Sequence, residues 1–523
     1  MGLADKSYIV MYDVRGIQDY IFKTNHAKEI VGASCLVDSI IIKGLEEYVN
    51  EKENEQNRYM TDWENDDGDA FLTDSSVVMQ VMFIGGGNAY VLIRGEEACH
   101  DVNWFLSKYV LTETYSLNLA VAVIEKGESY AKDYENINAE MRRIKAKMPN
   151  ARPTGALPFM KRDSITGYPI SRRVEKYKAV NYYCTEAVKK RSKFSADEFS
   201  ENEGEKIFDN MVTEKGDNSS LAICHIDGNS MGMRIREQMK NVKAYEEAIS
   251  KMRTLSKDIA NSFRDTFDKM IAYMDELTPK VKPNSKHKLY REIIVAGDDI
   301  TFVCNAKLAR SAVEFFLKQI VERGYSACAG IAYFNSHFPF SDAYKVTEAC
   351  CETAKRCAKE NGHRGKDGSV GCYMDFQICT NVRAANLGEY RKKHYLVNGE
   401  YMIARPYYVP SDKEGWEEMN SGNQCNSIDR LEQWLIKFDD KTFIARNKAK
   451  KLRNIIPEGL DGIKSYLLFL KYRGIELDRP EEQYRYWYDA LEIMDIDLIP
   501  EKIPEKVVSK EGATDENKDS VTK

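Results

Sequence analysis

One strand–turn–helix pattern occurs twice in this chain, and a hairpin follows each copy at matched spacing. Near the start, SYIVMYDVRGIQDYIF reads as a buried strand ending at Asp13, a Gly turn and a helix. LAICHIDGNSMGMRI (221–235) has the same shape, with its strand ending at Asp227. The first hairpin, VVMQVMFIGGGNAYVLI, turns at Gly85, Gly86, Gly87 and Asn88, and the second, REIIVAGDDITFVC, at Ala296, Gly297, Asp298 and Asp299. Apolar runs flanking a short Gly/Asn/Asp cluster signal a tight β-hairpin. Asp13 to Gly87 is 74 residues and Asp227 to Asp298 is 71. A third strand is expected from Tyr115 and from Tyr325, opening with Tyr-Ser both times. Three ordered elements at matched spacing point to two copies of one βαββαβ unit.

The expected fold class is α+β: two ferredoxin-like (βαββαβ) palm domains, each a sheet with helices on one face, plus a helical linker and a C-terminal helical domain. The boundaries are a first palm over 1–128, a basic, helical linker over 129–217, a second palm over 218–385, C-terminal helices over 386–500 and a disordered tail over 501–523. The β signal fades after about residue 385. Leu431, Trp434, Leu435, Phe438, Tyr466, Leu467, Phe469 and Leu470 then fall on apolar helix faces. The tail is charged and poor in apolar residues.

Composition excludes several classes. The net charge is −6, so nucleic-acid contact requires local patches. The 12 cysteines include no CxxC pair, so a zinc ribbon is not expected, and neither is a disulfide framework. Scattered thiols in a reducing compartment fit them better. No stretch approaches the ~20 apolar residues of a membrane span, and the N-terminus has no signal-peptide pattern. The expected location is cytoplasmic, without membrane contact.

Two-metal phosphoryl transfer needs carboxylates converging on hard divalent cations. Asp227 at a strand end beside an Asp298–Asp299 hairpin meets that need. Asp227, Asp298 and Asp299, with Ile226 beside the first, form the expected metal set for Mg²⁺ or Mn²⁺. Gly228, Asn229, Ser230 and Gly232 open a helix whose backbone N–H groups can receive triphosphate oxygens. Gly-Asp-Asp alone is an ordinary turn; its combination with Asp227 makes it a candidate site. The first copy keeps Asp13 but has glycines and Asn88 in its hairpin. It either binds a second nucleotide, through Gly86, Gly87 and Asn88, or serves as scaffold.

GIQDYIF followed by GAS (32–34), the Gly-Gly-Gly-Asn hairpin, DGNSMG and AGDD together resemble the polymerase/cyclase large subunit of type III CRISPR complexes, over about residues 7–385. The resemblance implies cyclic oligoadenylate synthesis from ATP with Mg²⁺ or Mn²⁺, in antiviral defence, with RNA and CRISPR complex subunits as partners. It also implies a triphosphate contact for Lys355 in EACCETAKRCAK. The sequence departs from the family pattern at Asn229, where an acid is usual, and at Ala296, where a glycine is usual. No His-Asp nuclease pair is found, and LPFMKRDSITGYPI resembles a cysteine-free remnant of the family's zinc element. The chain is therefore read as a reduced form of the family.

Two other functions compete: a non-catalytic palm subunit that holds RNA or protein, and a dinucleotide cyclase of another base preference. The basic stretch 142–178 and RNKAKKLRN (446–454) read as solvated faces before nucleic-acid tracks. His225, on the strand before Asp227, is expected to pack.

Overall fold

The computed structural model describes residues 6–499 except 53, 66–67, 86, 149–154, 177–178, 195–206, 214–218, 362–368, 380–385, 412–425 and 478–479. Gly86 and the 501–523 tail lie outside these residues.

Each copy of the repeat forms a sheet whose four repeat strands are antiparallel, with the first strand in the middle. In the first sheet Ser7–Arg15 lies between Asn88–Arg94 and Asn118–Glu125, and Met79–Gly85 and Tyr59–Met60 continue beyond Asn88–Arg94. In the second, Ser220–Gly228 lies between Asp299–Asn305 and Ala327–Asn335, with Tyr290–Ala296 beyond the hairpin. This is the ferredoxin-like order, and the chain is α+β as expected.

Four features differ from the sequence reading. First, Tyr-Ser precedes the third strand in both copies. Tyr115 has φ 71° and ends the helix Glu96–Thr114, while Tyr325 follows Gly324 with its N–H bonded back to Ile320. These residues make the helix-to-strand turn, and the strands begin at Asn118 and Ala327.

Second, helices cover both faces of each sheet. In the first strand Val10, Tyr12 and Val14 belong to one core, and Ile9 and Met11 to another. A run such as IVMY, apolar at every position, is what two-sided burial requires. The second core of the first sheet is supplied by the helix Tyr130–Lys147 and by the start of the helix Tyr245–Val281. The 37-residue Tyr245–Val281 helix spans ~55 Å at 1.5 Å per residue. Tyr245, Ile249 and Met252 pack on the first sheet, and Phe263, Phe267 and Met270 on the second. Buried Arg253 ties this helix to the first sheet by donating to the Val81 and Met82 carbonyls at 2.9 and 2.6 Å, where the hairpin register shifts.

Third, the sheet continues past residue 385. Tyr407–Val409 and Asn426–Ser427 extend the second sheet beyond Cys372–Cys379. Strands of three and two residues are too short to show an alternation, and Tyr407 is fully buried. The C-terminal helices share that core through Leu431, Trp434, Leu435, Phe438, Tyr466 and Leu470. Phe469, expected beside them, is 41% exposed and stacks on Tyr466.

Fourth, the inter-palm segment is not purely helical: Ile170–Lys176 and Ala179–Cys184 pair as a hairpin. The GAS motif is a packing device. A Cβ on Gly32 would sit 2.0 Å from the Lys190 carbonyl oxygen, and Ser34 Oγ donates to the Ile293 carbonyl of the second palm.

Nine described cysteines are buried thiols, Cys35 is exposed, and Cys357 is disulfide-bonded. Among the described residues no helix is long and apolar enough to cross a membrane.

Candidate active site

Asp227 and Asp299 stand directly opposite each other on neighbouring antiparallel strands. The Gly228 N–H donates to the Asp298 carbonyl at 3.2 Å, tying the strand end to the hairpin. Gly297, at φ +63°, and Asp298 form a two-residue turn between the paired residues Ala296 and Asp299. Ala296 lies in the strand without positive φ, so its departure from glycine carries no strain. A Cβ at Gly228 would lie 2.8 Å from the Asp298 Cβ, so only glycine permits this approach.

The first copy repeats the geometry with different chemistry. Asp13 faces Asn88 across the strands, and Gly87 takes the turn position of Asp298. The pseudo-symmetry extends further than the sequence reading followed it. Lys355, on the helix after the strand Ala327–Asn335, makes an ion pair with Asp227. Lys145, on the helix after the strand Asn118–Glu125 of the first copy, makes the same pair with Asp13. The chain separation of Asp13 and Lys145 is 132 residues, against 128 for Asp227 and Lys355. Extending the repeat count by one helix would have found Lys145.

A cleft of about 520 Å³ opens between the two copies. Asp298 and Asp299 line one wall, and Asp13, Gly87 and Lys145 the other. Gln18 crosses it, donating from Nε2 to Asp299 Oδ2 at 3.3 Å. Asp19, Asp38 and Glu348 also line it, so its lining is acidic on balance. None of Gln18, Asp38 or Glu348 was singled out from sequence, because single polar residues on amphipathic helices carry no distinctive signal.

The electrostatics follow from this crowding. Burial, then the Asp227 charge, pushes Asp298 up to about 6. Burial, then Asp227, pushes Asp299 up to about 7. Asp299 Oδ1 is buried and accepts no hydrogen bond. His225 packs beneath, with Nδ1 3.0 Å from Thr301 Oγ1 and 3.4 Å from Asp299 Oδ1. Burial lowers its pKa, leaving it neutral below the acids.

Not every expected residue joins the cleft. Asp227, Lys355, Gly228, Asn229, Ser230 and Gly232 are not among the residues that line it. The Gly228 and Asn229 N–H groups are committed to Asp298 and Ser326, which corrects the expectation that they meet phosphate. Asn229 is buried and its Nδ2 donates to Ser326 Oγ and the Gly371 carbonyl, so it locks the turn. Ile226 is fully buried in the sheet between Ile300 and Ala329. Ser230, in the left-handed region at φ 60°, precedes the helix Met231–Met239, and Gly232 is in its first turn. As placed, no three His, Cys, Asp or Glu side chains among the described residues converge tightly enough to hold a metal. Lys355 takes the Asp227 carboxylate in an ion pair.

Residues 220–366 match the family described as Cas10/Cmr2, second palm domain. That match spans the second palm. Solved structures similar to the chain include the apo Csm1–Csm4 cassette, at 14% identity and TM-score 0.48, covering 94% of this chain and 70% of that one. The Csm1–Csm4 cassette in complex with cA4 is similar at 12% identity and TM-score 0.47, with the same coverage. The cassette in complex with AMPPNP is similar at 13% and 0.43, covering 94% and 69%. No curated protein matches the sequence.

Proposed function

We propose that this Cas10-like chain joins nucleoside triphosphates, with ATP the expected substrate, into oligoadenylate-type products by metal-dependent nucleotidyl transfer, in antiviral defence. The observation that carries the reading is the cross-strand pair Asp227–Asp299 with Asp298 at the adjoining turn, where Asp298 and Asp299 line an acidic cleft between two related palms. An acidic cleft repels a bare triphosphate and favours one that arrives with divalent cations.

Three carboxylates are available to such cations at the end of the sheet. Asp299 offers an orphaned carboxylate oxygen, Asp298 a raised-pKa carboxylate beside it, and Asp227 a third on the facing strand. Bound there, Mg²⁺ or Mn²⁺ would activate the attacking hydroxyl and neutralise the leaving pyrophosphate. Lys355 holds an ammonium at Asp227, in reach of phosphate on that side. The N–H groups of Ser230, Met231 and Gly232 have no backbone partner among the described residues, and they open the helix Met231–Met239 for phosphate oxygens. Gly87 and the Asp13–Lys145 pair form the opposite wall, suited to a second nucleotide. Presenting both nucleotides from one chain replaces a bimolecular encounter by an intramolecular one. RNA and CRISPR complex subunits are the proposed partners.

The deciding experiment incubates purified chain with each NTP and Mg²⁺ or Mn²⁺, with and without RNA, and reads product masses. Wild type should form linked adenylates, and Asp298→Ala/Asp299→Ala should form none. Equal product from both proteins would remove the assignment.

A pH dependence follows from the same acids. Folded Asp298 and Asp299 hold protons that unfolded aspartate loses near 3.8. The metal-free protein therefore loses stability as pH rises from about 4 to about 7 and then levels off. Metal binding needs the ionised forms, so affinity should rise through that window. Mg²⁺ should raise Tm more at about pH 8 than at about pH 5. An equal rise at both would mean that the metal binds elsewhere.

A further inference from the structure

The helix Phe340–Asn361 borders the cleft through Tyr344 and Glu348. A different face of it, carrying Thr353 and Arg356, lines a second cavity of about 640 Å³ formed with the C-terminal region. That volume is in the range of small-molecule sites. We propose that this cavity is a ligand site separate from the cleft, and that it takes a phosphate-bearing ligand of nucleotide size.

Four arginines line it, Arg356, Arg391, Arg405 and Arg485, against one acid, Glu352, among the described lining residues. The two buried arginines are braced by residues that do not line the cavity. Arg391 is held by Asp375 at 2.8 and 2.9 Å, and Arg405 by Asp489 at 3.2 Å and Glu492 at 2.6 Å. This fixes guanidinium groups in place, which is what recognition of a phosphate by rigid forks requires.

Arg405 gives the strongest indication. It is 4% exposed, yet its Nε and Nη2 donate to nothing. Buried donors without partners cost free energy, more so on a charged group. The guanidinium stacks over Phe376, 4.4 Å from the ring centroid. A ring beneath the plane satisfies the π face and leaves the in-plane N–H groups unmet, and phosphate oxygens are acceptors that would satisfy them.

Two further features agree. Arg356 is exposed and has no ion-pair partner among the described residues, and Arg485 reaches its carboxylate, Glu400, only at 3.5 Å. The helix Leu387–Tyr395 begins at the cavity wall, so its first N–H groups and the positive end of its dipole are there. Tyr401, Ile403 and Pro406 supply apolar wall for the remainder of the ligand. Because Arg356 follows Lys355 on one helix, an occupant would touch the helix that holds Asp227.

Isothermal titration of the full chain with pyrophosphate in EDTA tests this, since without metal the acidic cleft does not attract the anion. Wild type should bind. Arg356→Ala/Arg485→Ala should weaken binding about tenfold or more, while Lys355→Ala and Asp298→Ala/Asp299→Ala leave it unchanged. A circular-dichroism melt checks the fold, and Arg356→Ala alone, at an exposed position, repeats the test if the double variant unfolds. No binding by wild type overturns the proposal. So does binding that Lys355→Ala abolishes and the arginine variants keep.

Discussion

Replacing Asp299 by asparagine should cut product formation about a thousandfold and raise the melting temperature of the metal-free protein near pH 8. The two effects share a cause. Asp299 is pushed up to about 7 by burial and by the Asp227 charge, and its Oδ1 lacks a partner. Near pH 8 the folded chain therefore carries a negative charge in a place that disfavours it. Asparagine keeps the shape, and its carbonyl oxygen still accepts from Gln18 Nε2, now 3.3 Å from Asp299 Oδ2. The charge that opposes folding is removed. The same charge is what a divalent cation would need, and losing ~4 kcal/mol of transition-state stabilisation at 1.36 kcal/mol per tenfold gives the expected rate loss. Activity is read from product mass and stability from a thermal melt in EDTA. A variant that melts higher and works normally would show that Asp299 is not a metal ligand. One that melts several degrees lower would show that it is structural.

This opposition of stability and chemistry explains which parts of the molecule were legible in the sequence. The repeat was legible because strand, turn and hairpin recur at fixed spacing. The placement of Asp227 against Asp299 followed, since a strand end and a hairpin turn in one sheet must meet at one edge. Two-sided burial was present in the run IVMY but is hidden from a reading that expects alternation. Tyr-Ser looked like a strand start because both residues tolerate extended backbone, whereas Tyr115 ends the helix in the left-handed region with its N–H bonded back to the Leu111 carbonyl. Gln18 was invisible for a different reason: it matters only because the first palm's turn helix faces the second palm's hairpin, a relation between domains that no local pattern encodes. Lys145 was recoverable, since its distance from Asp13 repeats the distance from Asp227 to Lys355 within four residues. Asn229 shows the limit of motif transfer. It holds the position of an acid, but its amide is spent on Ser326 and Gly371.

Gly330 should show a large stability effect from a single methyl group. It sits mid-strand in Ala327–Asn335, opposite His225 on one side and Asp375 on the other. The helix Phe340–Asn361 presses onto it so closely that a Cβ would lie 2.0 Å from the Thr347 carbonyl oxygen and 2.5 Å from the Cys351 nitrogen. Both atoms are backbone, so no side-chain rotation relieves the clash, and the helix itself must move by more than an ångström. The small residues that seat it, Cys350, Cys351 and Ala354, are buried and leave no slack. Gly330→Ala should therefore cost about 3 kcal/mol or more, the upper end of overpacking penalties. It should also lift Lys355 away from Asp227, since Lys355 rides on the same helix. Gly232→Ala is the matched control: a Cβ there meets nothing nearer than Arg236 at 4.0 Å, and melting should shift by no more than ~0.5 kcal/mol. Urea titration of the two variants beside wild type decides it. Equal midpoints for Gly330→Ala and wild type would mean that this helix does not seat on the strand as closely as described, and the position of Lys355 would fall with it.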